Sequence, residues 1–169
     1  MKLSQRTKFL TESALIAAIY VVLTMISFAF GLDKGVIQLR LSECLAVLPA
    51  FTPAAVPGLA LGCALASFLS GAHLLDVLFG SLVTLVAAEI CYLLRGVIHR
   101  RFGALLAPLP NIVLNAVFIP MVLIWVYQVP DAYPFLLLTV GIGEILASGV
   151  LGVLLFFIVR RNFSSLWRT

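Results

Sequence analysis

The chain has 169 residues, of which 63% are hydrophobic and only 11% are charged, and its formal net charge is +4. Soluble globular domains contain about 25% charged residues, and a soluble core of this size has no room for so many apolar side chains. The composition therefore excludes a soluble domain and predicts an all-α membrane protein, with residues 1–169 forming a single integral membrane domain.

Six apolar segments follow one another along the chain, and we predict a six-helix transmembrane bundle with spans at 9–30, 42–51, 57–69, 76–95, 109–127 and 135–159. The second and third segments are shorter than the about 20 residues that a spanning helix needs. The Pro53–Pro57 stretch between them breaks the helix. We expect these two segments to be tilted or packed inside the bundle.

The basic residues are concentrated beside the apolar segments. Nine of the eleven form three clusters, which are Lys2, Arg6 and Lys8; Arg95, Arg100 and Arg101; and Arg160, Arg161 and Arg168. Basic residues that flank membrane spans mark the cytoplasmic side. We therefore attribute the clustered basic residues to the orientation of the chain in the membrane and not to a nucleic-acid-binding surface. Six spans place all three clusters, and both termini, in the cytoplasm, whereas five spans do not.

A few polar residues lie within or beside the spans, where an ionised group costs about 2.5–3.5 kcal/mol at the bilayer centre. The candidates for a binding site are Gln38, Arg40, Glu43, Asp76, Asn115 and Glu144, and Asn111 and Glu89 are also polar residues of the spans. Glu144 stands well inside the sixth span beside two glycines, where no helix end can use it. This position favours a functional role over a structural one.

For Glu43, Asp76 and Asn115 a structural role is an equal alternative, whereas it is the weaker alternative for Gln38 and Arg40, which have no capping role. Ser42 is suited to cap the second span, with Glu43 complementing its helix dipole and Arg40 as an ion-pair partner. Asp76 is suited to be the N-cap of the fourth span. Asn115 is able to hydrogen-bond a neighbouring helix instead of a ligand.

Two further patterns concern the loops and the helix surfaces. Polar and apolar residues alternate from Ile37 to Glu43, which is typical of an extended loop lying over the bundle. Trp125 and Tyr127 lie at the outer boundary of the fifth span, where they either anchor the helix at the headgroups or stack on a ligand. Ala14 and Ala18 form a small-xxx-small face, a weak signal for close helix packing.

The sequence contains no phosphate-cradling glycine loop, paired-histidine metal motif or nucleophile elbow. We therefore predict that the chain is not an enzyme and has no cofactor of its own. A transporter without a nucleotide-binding motif depends on an ion gradient or on an ATPase in another chain.

Several motifs taken together resemble the QueT family. They are Ile37–Glu43, Leu48–Pro49, Phe51–Pro53, Pro57–Leu59, Gly62–Cys63, Asp76–Val77, Phe79–Leu82, Thr84–Leu85, Asn115–Ala116 and Gly143–Glu144. The resemblance implies a six-helix S component of an energy-coupling factor (ECF) transporter in a prokaryotic plasma membrane. Its implied substrate is a queuosine precursor, a 7-deazaguanine such as the 7-cyano or 7-aminomethyl form or queuine.

The resemblance also implies partners and residue roles. A transmembrane coupling subunit would dock on Ala14 and Ala18, and two ATPase subunits bound to it would use ATP. Glu144 would accept the two donors of the deazaguanine edge, and Asn115, Gln38 or Arg40 would read its oxygen or the 7-substituent. Trp125 or Tyr127 would stack on the base. The alternatives are an S component for another vitamin, a solitary ion-coupled carrier, or a membrane enzyme or scaffold.

Overall fold

The structure is a computed structural model that describes residues 3–32, 38–98 and 103–162. Throughout these residues every regular element is helical and none is a strand, which confirms the predicted all-α class. Lys2, Arg100, Arg101 and Arg168 of the basic clusters, and Ile37 at the start of the expected covering loop, lie outside the described residues.

The first half of the described chain contains α1 (Leu3–Ala29), a 3₁₀ helix (Leu41–Ala50), α2 (Ala55–Leu69), α3 (Leu74–Leu93) and α4 (Arg95–Ile98). The second half contains a short 3₁₀ turn (Gly103–Leu106), α5 (Leu109–Trp125), α6 (Tyr133–Glu144), a π-helical turn (Ile145–Leu151) and α7 (Gly152–Asn162).

The predicted count of six spanning helices is not confirmed. Within the described ranges four stretches are long and apolar enough to cross a membrane, and they are Ser4–Ala29, Leu74–Leu93, Gly103–Trp125 and Tyr133–Asn162. The 3₁₀ helix and α2 have only 10 and 15 residues. At about 1.5–2.0 Å per residue, neither reaches the about 30 Å of a hydrocarbon core.

The 3₁₀ helix lies in the interior of the bundle. Seven of its ten residues are buried, among them Ser42, Glu43 and Val47. Phe51, at its C-terminal end, stacks at a tilt on the buried Phe156 of α7, with ring centroids 4.8 Å apart. Since the helix is shielded by its neighbours, its polar side chains are held inside the protein and not in lipid.

α1 and α2 pack closely because two glycines of α2 face two small residues of α1. A Cβ on Gly62 would lie 2.7 Å from the Cβ of Tyr20 and 3.1 Å from the Cα of Ala17. A Cβ on Gly58 would lie 2.8 Å from the carbonyl oxygen of Ser13. The pair Gly58 and Gly62 is a GxxxG motif, which permits this approach.

The structure corrects the expected helix caps. The N-cap of α3 is His73, whose Nδ1 accepts a hydrogen bond from the Leu75 amide at 3.3 Å, so Asp76 lies inside the first turn. The N-cap of the 3₁₀ helix is Arg40, and Ser42 instead accepts a hydrogen bond from Thr24. Among the described residues Arg40 forms no ion pair with Glu43 within 4.0 Å.

Candidate functional site

Two cavities lie between the helices, and the same two side chains, Gln38 and Arg40, line both of them. The large cavity has a volume of about 380 Å³. Its polar and aromatic lining includes Ser27, Phe28, Gln38, Arg40, Asp76 and Tyr127. The size falls in the range of about 300–1,000 Å³ that is usual for small-molecule sites.

The small cavity has a volume of about 20 Å³, and its polar lining includes Gln38, Arg40, Glu43, Thr84, Asn115 and Glu144. A space of that volume accommodates about one water-sized group. It therefore has no room for a purine-sized base.

Two buried carboxylates beside the small cavity are joined by one amide. Glu43, on the 3₁₀ helix, is 4% exposed and Glu144, at the end of α6, is 9% exposed. Asn111 of α5 donates from Nδ2 to Glu43 Oε2 and to Glu144 Oε2, each at 3.0 Å. The two acids thus lie on either side of a single side chain, and three helical elements meet there.

Each carboxylate has a second donor of its own. Tyr20 of α1 donates from its hydroxyl to Glu43 Oε1 at 2.6 Å. Asn115, one turn after Asn111 on α5, donates from Nδ2 to Glu144 Oε1 at 3.0 Å. Each of the four carboxylate oxygens therefore accepts a hydrogen bond from a neutral donor. These bonds offset part of the free-energy cost of burying the two acids.

In the large cavity Asp76 is held by Tyr127. The Tyr127 hydroxyl donates to Asp76 Oδ2 at 2.8 Å and accepts from the His73 amide at 3.1 Å. Partial burial raises the pKa of Tyr127, and its hydrogen bond to Asp76 adds to the rise, so the phenol stays a neutral donor. Among the described residues no hydrogen bond reaches Asp76 Oδ1, although the residue is only 9% exposed.

Gln38 and Arg40 are half-buried and face both cavities, yet within the described part of the chain neither side chain makes a hydrogen bond. An arginine has five N–H donors and a glutamine amide has two donors and an acceptor. Polar groups placed in a cavity without protein partners are available to a ligand.

The structure thus brings together seven of the eight predicted substrate residues around the two cavities. Asp76 and Tyr127 line the large one, Glu43, Asn115 and Glu144 the small one, and Gln38 and Arg40 both. Trp125 is not among them, because its side chain is 72% exposed and lines neither cavity. Its position fits the interface-anchor interpretation.

Tyr20 is a partner of the site that was not predicted from the sequence. The available signal was a phenol in the middle of an apolar span, where a hydroxyl needs a hydrogen-bond partner. Asn111 was noted as polar but was given no role, because its two partners are 68 and 33 residues away.

Ala14 and Ala18, the expected docking residues, are exposed on α1. The neighbouring small residues Ser13 and Ala17 are buried and face α2. The first helix therefore has one small-residue face inside the bundle and another on the surface.

Comparison with known proteins places the chain among transporters. The profile of a family described as QueT transporter matches residues 10–161. A curated protein of Lactococcus lactis subsp. cremoris (strain MG1363), named "Queuosine precursor transporter QueT", is 36% identical over 89 residues, which are 53% of this chain and 52% of that protein. The match spans about half the length of that relative. No solved structure matches the chain.

Proposed function

The chain belongs to the QueT transporter family, which comprises transporters and not enzymes, and from that membership we propose that it binds a 7-deazaguanine queuosine precursor for import. The observation that carries the proposal is the large cavity, where Arg40, Gln38 and Asp76 Oδ1 present polar groups without intramolecular hydrogen bonds in the described residues. The name of the Lactococcus relative supports the substrate class.

The polar groups of the large cavity suit the edge of a deazaguanine. That edge has two adjacent donors and one acceptor, which a carboxylate and a guanidinium satisfy. Asp76 takes the donors, Arg40 takes the oxygen, and the rings of Phe28 and Tyr127 offer surfaces for the flat base. Glu144 was the residue predicted to accept these donors, but Asp76 is the carboxylate that lines the cavity with enough volume.

We assign the import step to an ECF complex, in which this chain is the S component. A transmembrane coupling subunit docks on α1, and two ATPase subunits supply the energy from ATP, so this chain needs no cofactor. The exposure of Ala14 and Ala18 supports this docking site. The basic residues Arg95, Arg160 and Arg161 at helix ends support a cytoplasmic location of both termini.

The test is thermal stabilisation of the purified chain by a panel of 7-deazaguanines and unrelated vitamins. A ligand that binds only the folded protein stabilises it by RT ln(1+[L]/Kd). Asp76→Asn is expected to raise Kd about tenfold or more, since hydrogen bonds to charged groups contribute about 1.5–3 kcal/mol. The matched control is Asp131→Asn, an exposed residue outside both cavities.

If no 7-deazaguanine stabilises the protein while a vitamin does, the substrate class is wrong and another S-component specificity takes its place. Uptake by the chain alone, driven by a proton gradient and without ATPase subunits, would contradict the ECF assignment and favour an ion-coupled carrier. Equal affinity of wild type and Asp76→Asn would remove Asp76 from the site.

A further inference from the structure

The acids of the two cavities outnumber the bases. Among the described lining residues, Asp76, Glu43 and Glu144 are acidic and Arg40 is the one base. All three acids are at least nine-tenths buried. A buried acidic group needs a cation or hydrogen-bond donors beside it, and Arg40 is the one cation that these lining residues supply.

The small cavity also contains an acceptor that no donor uses. Asn115 is 4% exposed and lines this cavity, and its Nδ2 is already committed to Glu144. Among the described residues nothing donates to its Oδ1. The cavity is therefore lined by two carboxylates and a free amide oxygen, and its volume of about 20 Å³ suits one water-sized group.

A primary ammonium group has these dimensions and this chemistry. It is close to water in size, carries one positive charge and has three N–H donors. In the small cavity its donors have three acceptor groups, namely Glu43, Glu144 and the Asn115 oxygen. Its positive charge also suits a cavity that two acidic side chains line.

We infer that the small cavity, formed by Glu43, Asn115 and Glu144, is a subsite for an ammonium group on the substrate. The inference rests on the proposed function and sharpens it. The base occupies the large cavity, and the 7-substituent extends past Gln38 and Arg40, which line both cavities. The chain therefore selects an aminomethyl deazaguanine over a neutral 7-cyano one.

The experiment compares three ligands on the purified wild-type chain: 7-aminomethyl-7-deazaguanine, its N-acetyl derivative and 7-cyano-7-deazaguanine. The aminomethyl form is expected to bind about tenfold or more tightly than either neutral form, because it alone has a charged donor group. This comparison needs no variant and so does not depend on how a variant folds.

The double variant Glu43→Gln and Glu144→Gln then tests whether these two acids cause the preference for the aminomethyl ligand. It is expected to reduce the preference for the amine over the cyano form to within about threefold, since an amide keeps the shape of the carboxyl group but loses its charge. Glu89→Gln is the matched control, because Glu89 is exposed on α3 and lines neither cavity. It should keep the full preference.

The outcomes separate this inference from the proposed function. Equal or tighter binding of the cyano form to wild type overturns the ammonium subsite and leaves the deazaguanine substrate class intact. A preference that persists in a folded double variant also overturns the assignment to Glu43 and Glu144. If none of the three ligands binds, both the subsite and the proposed function are wrong.

Discussion

At the scale of single residues, Asn111 is what allows two acids to lie side by side in the bundle. Its one amide nitrogen donates to Glu43 and to Glu144, at 3.0 Å each. An amide supplies two N–H bonds in one plane without adding a charge. A lysine in its place would put a permanent positive charge between the two acids.

Replacing Asn111 with Leu is expected to destabilise the protein more than the same change at Asn115. Asn111 serves two buried carboxylates and Asn115 only one, and each bond to a charged group is worth about 1.5–3 kcal/mol. Thermal unfolding of the two variants, both without ligand, checks the order. Equal melting temperatures would show that the Asn111 bridge contributes nothing beyond a single hydrogen bond.

The sequence predicted the polar residues of the site better than their partners. Glu144 was predicted to be functional because it lies well inside an apolar span, and within the continuous helical stretch Tyr133–Asn162 it is held by side chains of another helix. Glu43 had an equally good explanation as a helix-end residue. Its partner Tyr20 is 23 residues away, and one sequence contains no signal for such a contact.

At the scale of elements, the contact between α1 and α2 sets the position of Tyr20, and through it that of Glu43. Gly62 lies against Tyr20 and Ala17 with no space for a methyl group. Any side chain at that position separates the two helices or turns Tyr20 away from the acid. The glycine motif therefore acts on the site without touching a ligand.

Gly62→Ala is accordingly expected to lower stability by about 1–3 kcal/mol, the usual cost of overpacking. It should also weaken ligand binding, because Tyr20 then moves relative to Glu43. Gly96→Ala is the control, since a Cβ there meets nothing within 4 Å. Melting temperature and ligand-induced stabilisation measure the two effects. A Gly62→Ala protein as stable as wild type would contradict the tight contact.

Element positions were largely predictable, but element geometry was not. The predicted segments 42–51 and 57–69 coincide closely with the 3₁₀ helix and α2. Hydrophobicity located them because both are apolar runs bounded by prolines or polar turns. A run of ten residues has too few turns to distinguish 3₁₀ from α-helical periodicity. The π-helical turn after Glu144 had no signal at all.

At the scale of the whole molecule, the assembly proposal depends on the outer face of α1. Ala14→Leu together with Ala18→Leu is expected to abolish co-purification of a coupling subunit and two ATPases, because close helix contacts need small side chains. Val113→Leu with Val117→Leu, exposed on α5 at the same spacing, is the control. Ligand-induced stabilisation of the isolated chain should stay at the wild-type level in both variants.

If the coupling subunit and the ATPases still co-purify with the variant that has leucine in place of Ala14 and Ala18, the docking surface lies elsewhere on the molecule. Wild-type ligand-induced stabilisation of the isolated variant shows that it is folded, so a loss of co-purification is then not due to misfolding. If no ATPase ever accompanies the wild-type chain, the ECF assignment itself is wrong.

α1 has two small-residue faces, Ser13 with Ala17 inside the bundle and Ala14 with Ala18 on the surface. Together they restrict insertions and deletions in this helix. Each residue added to an α-helix rotates everything beyond it by about 100°. A single insertion between Ala14 and Ala18 would turn Tyr20 away from Glu43 and leave the two alanines pointing in different directions. Point substitutions on α1 outside these two faces are tolerable, whereas a one-residue insertion or deletion between Ala14 and Ala18 should disable binding and assembly together.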